Sequence, residues 1–250
     1  MDDKIALGSK TAKDGFQNEH TVIGIFNNWK QEVLAQEWLK LMGYDLANIE
    51  SVKACKIKGS YKTDVQVQIQ VSVKLKDEID CQNLSVKLVS NTAGFNQIDK
   101  RWVKKYEELW DIPSDVVKVL KHFTGELPPY ISNPKDSRRM FAFELIEKDR
   151  NQLLDFLNRN KTLILTDILK GRGQFSAEWM LVILKIADND IKWALKPMNF
   201  VLNFFDGPVE ATKLGSFKIG KITIQRKGGD GGRPSANMLQ FKINPALLVS

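Results

Sequence analysis

An alternating run between residues 65 and 73 constrains the fold of this chain most. Val65, Val67, Ile69, Val71 and Val73 occupy every second position, with polar side chains between them. A period of two predicts a half-buried β-strand. Asp64 stands directly before the run, and a second short strand follows a predicted polar turn at 77–82. The sequence therefore predicts a β-hairpin that begins at an acidic residue.

The second strand of this hairpin carries a polar face. Leu84, Val86 and Leu88 alternate with Ser85 and Lys87, so the two polar residues share a side. A carboxylate at Asp64 and an ammonium at Lys87 can therefore meet, where the first can hold a hard divalent cation and the second can position a water. Taken alone, such residues are more often a turn aspartate and a solvated lysine, so the functional interpretation depends on the rest of the chain.

Length and composition indicate a soluble globular protein with an anionic partner. A chain of 250 residues with 43% hydrophobic content can form one substantial core, and one domain is expected. No apolar run approaches the roughly 20 residues of a membrane span. The net charge of +7 favours nucleic acid over other anionic partners. The polar N-terminus indicates no signal peptide, and two cysteines, Cys55 and Cys81, fit a reducing cytoplasm.

Periodicity predicts the remaining elements. Helices are predicted from Glu19 to about Phe26, with Glu19 opening the helix, and from 28 to 41, with Trp29, Val33, Trp38, Leu39 and Met42 facing the core. The stretch 50–58 is predicted as the first strand and 90–97 as an exposed loop. Further helices are predicted from Asp99 onward, over 114–123 and over 147–159, and a strand over 162–169. The chain is thus predicted to mix helices and strands.

The C-terminal segment predicts a second hairpin. Two alternating strands, KITIQRK and MLQFKI, flank the glycine-rich turn GGDGGRPSAN. A two-stranded ribbon fits the major groove of DNA, where Arg, Asn, Gln and Asp side chains match base edges. The residues that this ribbon presents are Gln225, Arg226, Lys227, Asp230, Arg233, Asn237 and Gln240. An ordinary surface hairpin is the alternative.

Five segments of the chain are distinctive: LGSKTAKDGFQNE, VKLVSNTAGFNQIDK, HFTGELPPY, LTDILKGRGQFSAEW and ITIQRKGGDGGRPSANMLQFKI. Together they resemble the HinP-type restriction endonucleases, small type II enzymes related to MspI that cut GCGC. The resemblance extends from residue 7 to residue 243. It implies an α/β (α+β) fold with a PD-(D/E)xK core, in which helices flank a central mixed β-sheet, and a C-terminal β-hairpin that recognises DNA. The catalytic core is expected over about 10–110 and the recognition elements over about 90–105 and 217–243.

The same resemblance implies the catalytic residues. Asp64 becomes a metal ligand and Lys87 the water-orienting lysine. Ser85 stands two positions before the lysine, where the superfamily usually has Glu or Asp and HinP-type enzymes have Gln, so it would reach a metal only through water. Glu19 matches the position where many such nucleases supply another carboxylate. The number of directly held ions therefore stays open.

The resemblance also implies the reaction and its partners. Mg²⁺-dependent cleavage of double-stranded DNA after the first G of GCGC would leave a 5′-CG overhang. Phe95 and Gln97 would approach or insert at the base stack, because the CG step is deformable. The host would be bacterial and carry a matching cytosine methyltransferase, and the enzyme would act as a monomer or weak homodimer.

Two other functions stay open on the sequence. One is a repair or mobile-element endonuclease with the same core. The other is a DNA-binding protein that has lost its chemistry, with Ser85 as the first lesion. Motifs of other enzyme classes are absent, since the sequence has no nucleophile elbow, Walker loop or HExxH.

Overall fold

The structure, a computed structural model, describes residues 19–56, 66–73, 78–187 and 190–249. The described chain forms two compact units. The mixed-sheet unit comprises its described residues up to Gly94 together with Lys170–Val201 and the segment from Pro245 onward. The antiparallel-sheet unit comprises Phe95–Leu169 and Leu202–Asn244. The prediction that they make one domain stays a prediction.

Five strands make up the sheet of the mixed-sheet unit. In chain order they are β1 (Ile49–Lys56), β2 (Gln66–Val73), β3 (Glu78–Val89), β5 (Trp179–Ala187) and β6 (Asp190–Pro197). The spatial order is β1-β2-β3-β5-β6, and only the β3–β5 pair is parallel. β3 is therefore the central strand of a mixed sheet, as predicted.

Two helices cover one face of this sheet. They are α1 (residues 19–27) and α2 (Val33–Leu41), which bury Phe26 and Trp38 against Leu84 of β3. The Phe26 and Trp38 rings lie 5.1 Å apart between centroids. Burying each such aromatic side chain contributes about 2–3 kcal/mol, so this apolar layer fixes the helices on the sheet.

The antiparallel-sheet unit contains five shorter strands. They are β4 (Asn96–Arg101), β7 (Val209–Ala211), β8 (Phe217–Ile219), β9 (Ile222–Arg226) and β10 (Leu239–Ile243), in the order β4-β10-β9-β8-β7. The helices of the chain from residue 103 onward are α3 (Val103–Trp110), α4 (Ser114–Thr124), α5 (Glu147–Arg159), α6 (Lys161–Leu165) and α7 (Met198–Phe205), the last of which bridges the two units in sequence. The predicted C-terminal hairpin is confirmed as the β9–β10 pair.

A buried polar cluster joins β4 to the helices of this unit. Arg101 donates to Asp99 at 3.0 Å and to Asp167 at 2.8 Å, and the two aspartates are 1% and 2% exposed. The Tyr106 hydroxyl donates to Asp99 at 2.5 Å, and the Trp110 indole donates to Asp167 at 3.1 Å. Burial, followed by the Asp99 carboxylate, raises the pKa of Tyr106 well above its usual range. The charges are thus paired inside the unit, as burial requires.

Several predicted elements were wrong. Residues 162–169, predicted as a strand, form α6 and a single π-helical turn at Thr166–Lys170. The residues from Asp99 to Arg101, predicted as helix, belong to β4, and the helix begins only at Val103.

Other corrections concern boundaries and burial. The predicted turn at 77–82 is strand from Glu78 onward. The second helix begins at Val33 rather than at 28, and Val33 itself is 65% exposed rather than buried. The C-terminal end of the predicted loop at 90–97 is strand, since β4 begins at Asn96.

Candidate active site and nucleic-acid interface

Lys87 and Ser85 lie on the central strand of the mixed sheet. The backbone of Ser85 pairs with Gln66 of β2 on one side and with Met180 of β5 on the other, and Lys87 pairs with Val182. Lys87 is only 7% exposed, and Ser85 is half-buried. Lysine is rarely buried unless its charge has a role or a partner. β3 therefore holds a buried ammonium and a hydroxyl two residues apart on one face.

Glu19 lies in the same unit, at the start of the described part of α1. Glu19 is 4% exposed, and its carboxylate forms an ion pair with the Lys56 ammonium at 2.8 Å. Lys56 pairs with Val67, and Val67 pairs with Leu84, so Lys56 shares the sheet face of Leu84. Because neighbouring residues of a strand alternate, Ser85 and Lys87 belong to the opposite face. The register thus assigns the partner of Glu19 and the Ser85–Lys87 pair to different faces.

Asp64, the first predicted metal ligand, lies outside the described residues. Within the described ranges, no three His, Cys, Asp or Glu side chains are grouped closely enough to hold a metal ion. The candidate donors that are described, the Glu19 carboxylate and the Ser85 hydroxyl, are hard oxygens of the type that Mg²⁺ prefers. These residues fit the ion by chemical type, and a complete ligand set would need Asp64.

Phe95 is an exposed aromatic residue next to the first strand of the antiparallel-sheet unit. It follows the loop at 90–94, immediately precedes β4, and is 56% exposed. An exposed large apolar side chain is not by itself unusual. Its position directly before β4, the strand that carries Gln97, is compatible with the predicted role, which stays a prediction.

Three glutamines form a hydrogen-bonded ladder across β4, β10 and β9. Gln240 Nε2 donates to Gln97 Oε1 at 2.6 Å, and Gln225 Nε2 donates to Gln240 Oε1 at 3.4 Å. Gln240 is 5% exposed, and the two outer glutamines are half-buried. A glutamine side chain has a donor nitrogen and an acceptor oxygen. The ladder uses the oxygen of Gln97 and the nitrogen of Gln225, so the Gln97 nitrogen Nε2 and the Gln225 oxygen Oε1 lie at its two ends.

Arg226 and Asn237 contact each other. The side-chain oxygen Oδ1 of Asn237 accepts hydrogen bonds from Arg226 Nη2 at 2.6 Å and from Arg226 Nε at 3.2 Å. Asn237 Nδ2 donates to the backbone carbonyl of Gly125 at 2.9 Å. The Arg226 side chain is only 9% exposed. Since Arg226 pairs with Leu239, and Gln225 pairs with Gln240, Arg226 lies on the other face of the hairpin from the glutamine ladder.

The turn of the hairpin holds the remaining predicted residues. Lys227 donates to Asp230, which also accepts from the Ser235 hydroxyl. These hydrogen bonds, first that from Lys227, hold the pKa of Asp230 below its usual range, so its carboxylate stays ionised. Arg233 is exposed at the tip of the same turn.

Sequence reasoning missed two features of this unit. The pairing of Gln225 with Gln240 follows from hairpin register and could have been found, whereas Gln97 joins them from 143 residues away. A cluster around Asp136, in which Arg138 donates to its carboxylate from Nε at 2.8 Å and from Nη2 at 2.9 Å, was also missed. Only the adjacent arginines in the sequence hinted at it.

The fold has a counterpart among solved structures. It is similar to that of the restriction endonuclease MspI in a crystal structure with its cognate DNA, at a TM-score of 0.60 and 15% sequence identity, over 90% of this chain and 87% of that chain. The model of the R.HinP1I restriction endonuclease family matches residues 42–249, most of the chain, so the chain belongs to this family. Glu19 precedes the matched region. A comparison with curated proteins gave no match.

Family membership assigns the general activity. The protein is a type II site-specific deoxyribonuclease, a class that generally uses divalent metal ions. None of the helices in the described ranges is long and apolar enough to cross a membrane.

Proposed function

We propose that this protein is a Mg²⁺-dependent type II restriction endonuclease that cuts double-stranded DNA at GCGC, after the first G, and leaves a 5′-CG overhang. The buried Lys87 on the central strand of the mixed sheet is the observation that carries this proposal. A buried ammonium two residues from an oxygen donor supports hydrolysis of a phosphodiester rather than binding alone.

The catalytic roles are divided among three positions on the hairpin. Asp64 would hold the ion directly and Ser85 through a water, while Lys87 orients the attacking water and stabilises negative charge as it develops on the phosphate. When bound, a divalent ion would supply a Lewis acid that offsets the charge of the phosphate and activates a water. Asp64 comes two residues before Gln66, which pairs with Ser85, and this spacing supports the assignment.

Glu19 is proposed as an additional ligand. Its burial supports the role, but Lys56 occupies its carboxylate on the other face of the sheet. As Lys56 holds it, the Glu19 carboxylate does not reach an ion on the face of Ser85 and Lys87, and we assign the primary positions to Asp64 and Ser85.

The glutamine ladder supports a site made of G and C. At the ends of the ladder, the Gln97 nitrogen is a donor and suits the O6/N7 edge of guanine, whereas the Gln225 oxygen is an acceptor and suits the amino group of cytosine. Gln240 orients both. Arg233, Lys227 and Asp230 contact DNA from the turn, and Arg226 with Asn237 holds the hairpin in shape.

Phe95 is proposed to act on the DNA rather than on a base edge. An exposed aromatic side chain next to Gln97 can insert at the central CG step, which unstacks readily because it is a pyrimidine–purine step. The protein acts as a monomer or weak homodimer in a bacterial cytoplasm, beside a cytosine methyltransferase that protects host GCGC sites.

The test is a digest of unmethylated plasmid DNA with purified protein and Mg²⁺, followed by sequencing of the fragment ends. Cuts confined to GCGC, abolished in Asp64→Ala, are the expected result. Cuts at another short palindrome would contradict the specificity and keep the catalytic assignment. Tight GCGC binding with no cleavage under any divalent ion would favour a DNA-binding protein that has lost its chemistry.

A further inference from the structure

A cluster of basic side chains in the antiparallel-sheet unit has no role in the proposed reading of bases. Three arginines, Arg138, Arg139 and Arg226, surround the Asp136 carboxylate, and the cluster also includes Glu144 and Lys135, whose backbone N–H donates to Glu144 at 2.6 Å. Four cations against two carboxylates leave an excess of two positive charges at neutral pH. The name arginine cluster is used for these six residues below.

Arg138 is the accessible member of the arginine cluster. Its side chain is 70% exposed, while two of its nitrogens, Nε and Nη2, donate to the Asp136 carboxylate at 2.8 and 2.9 Å. A guanidinium has five N–H groups in a rigid fork. Asp136 thus fixes the plane of Arg138 and leaves Nη1 with donors directed away from the carboxylate, a geometry suited to a phosphate oxygen.

The other cations raise the local positive potential. Arg139 lies over the Phe141 ring at 3.9 Å and is 3.8 Å from Asp136, and Arg226 lies 4.0 Å from the same carboxylate. Burial lowers the pKa of Arg139 and of Arg226, and neighbouring arginines lower both further. Like charges held together in this way are destabilising for the free protein, and a bound anion relieves them.

The backbone of the arginine cluster is anchored rigidly. Arg139 N donates to Asp136 O at 3.1 Å, and Met140 N donates to the carbonyl of His122 on α4 at 2.9 Å. A Cβ on Gly125, whose φ is +89°, would lie 2.5 Å from the Arg138 carbonyl oxygen. Only glycine therefore allows this close approach, and the same Gly125 carbonyl accepts from Asn237 of the recognition hairpin.

We infer that the arginine cluster binds one phosphate of the DNA backbone next to the recognition site, with Arg138 as its direct contact. This inference rests on the proposed function, because it takes duplex DNA as the ligand. This contact between the arginine cluster and a phosphate, called the clamp, contributes affinity and fixes the position of the protein along the DNA without reading its sequence, as phosphate contacts do. Lys135, which lies 5.3 Å from the Phe141 ring, and the buried arginines strengthen the field without a contact of their own.

Salt dependence of binding tests the clamp. Binding of a GCGC duplex and of a scrambled duplex of equal length would be measured over a salt series without divalent ions, for the wild type, Arg138→Gln and Arg159→Gln. Arg159 is an exposed arginine at the end of α5 in the same unit and matches the lost charge. We expect Arg138→Gln to weaken both duplexes about threefold to tenfold and to reduce the slope of log K against log salt by about one, with Arg159→Gln like the wild type.

A neutral phosphate then locates the contact. Methylphosphonate placed at symmetry-related pairs of backbone positions, one on each strand of a GCGC duplex with symmetric flanks, should weaken wild-type binding at one pair of positions, and this pair should have no further effect on Arg138→Gln. Equal salt slopes for Arg138→Gln and Arg159→Gln, or no such pair of positions, would overturn the clamp. A wild type that does not prefer GCGC would contradict the proposed specificity alone, because the slopes are also compared on the scrambled duplex.

Discussion

Lys87 is the residue on which the catalytic proposal depends most. A lysine that is 7% exposed in the central strand of a sheet loses hydration that a surface lysine keeps. Buried lysines are rare, and they occur mainly where the charge is paired or takes part in chemistry. The burial of Lys87 on the same strand as Ser85 therefore supports the proposed role more strongly than the residue type alone does.

Replacing this lysine should separate cleavage from binding. We expect Lys87→Met, which keeps the length of the side chain and removes the charge, to reduce cleavage by at least about a hundredfold, the smaller end of what loss of one charge-stabilising donor costs. Binding of a GCGC duplex should stay within about threefold of the wild type, since one charge among the several cations that contact phosphates makes a small contribution.

Lys192→Met provides the control for this experiment. Lys192 is an exposed lysine on β6 of the same sheet, and its variant should cleave like the wild type. Rates come from single-turnover digestion of a labelled duplex. Near-normal cleavage by Lys87→Met would remove Lys87 from the site.

A substitution at Ser85 tests whether this position accepts another neutral oxygen ligand or depends on serine. Its hydroxyl is short and neutral, and the residue is half-buried beside Gln66 and Met180. We expect Ser85→Gln to cleave at least as fast as the wild type, because a longer amide oxygen can reach an ion directly. The rate of cleavage as a function of Mg²⁺ concentration measures this, and a folded variant without activity would show that the pocket depends on serine.

The two hairpins were predicted from the sequence, whereas the secondary structure of two other segments was predicted wrongly. Alternation in β9 and β10 is local, and burial of Ile224 and Phe241 follows from it. Residues 162–169 are apolar and rich in β-branched side chains, a composition shared by strands and buried helices. Their helix is decided by nonlocal contacts, among them the ion pair of Asp167 with Arg101.

The prediction of a helix from Asp99 onward was wrong for the same kind of reason, since these residues belong to β4. Its sequence, NQIDKR, is polar and fits a helix surface, yet it pairs with β10 far along the chain. The same nonlocal pairing brings Gln97 to Gln240. Local alternation was enough to predict that Ser85 and Lys87, the proposed catalytic residues, share one face of a strand, whereas the glutamine ladder could be found only from the fold.

The glutamine ladder makes a prediction about discrimination. Gln240→Leu removes the amide that orients Gln97 and Gln225, so we expect preference for GCGC over single-base variants to fall about tenfold, since a good base-reading contact contributes about 1–3 kcal/mol. Competition binding with labelled duplexes measures this. Gln152→Leu, which removes a glutamine bond to Asp115 on α4–α5, should leave discrimination unchanged; equal losses in both variants would make the ladder purely structural.

The buried cluster of β4 and α3 makes the antiparallel-sheet unit sensitive to alkali. Burial and Asp99 raise the pKa of Tyr106 in the folded protein, whereas the unfolded value is about 10. Above that pH the unfolded chain loses a proton that the folded chain keeps, so stability is present below about pH 10 and falls as pH rises.

Tyr106→Phe should therefore lower the free energy of unfolding by about 1–3 kcal/mol at pH 8, because Asp99 loses a hydrogen bond. From pH 10 upward the gap to the wild type should shrink by up to about 1.4 kcal/mol per pH unit. Urea unfolding between pH 8 and 11 measures both. Parallel curves for the two proteins would show that Tyr106 ionises normally.

For the whole molecule, each of the two units carries one part of the proposed activity. Ser85 and Lys87 belong to the mixed-sheet unit, and the glutamine ladder, the recognition turn and the arginine cluster belong to the antiparallel-sheet unit. Substitutions in the first should change the rate of cleavage, and those in the second should change affinity and discrimination. Separate effects on cleavage rate and on binding are expected of an enzyme that binds its site before it cuts.

The last prediction concerns how one chain cuts a site with two strands. GCGC is palindromic, so a two-fold dimer would present one catalytic hairpin to each strand. The chain contains one Asp64–Ser85–Lys87 set, so a monomer must cut the strands in separate events. We expect a supercoiled plasmid with a single GCGC to pass through a nicked circle before it becomes linear, with both rates proportional to enzyme concentration. Linear product formed directly, with a rate that rises as the square of enzyme concentration, would instead require a dimer at the site.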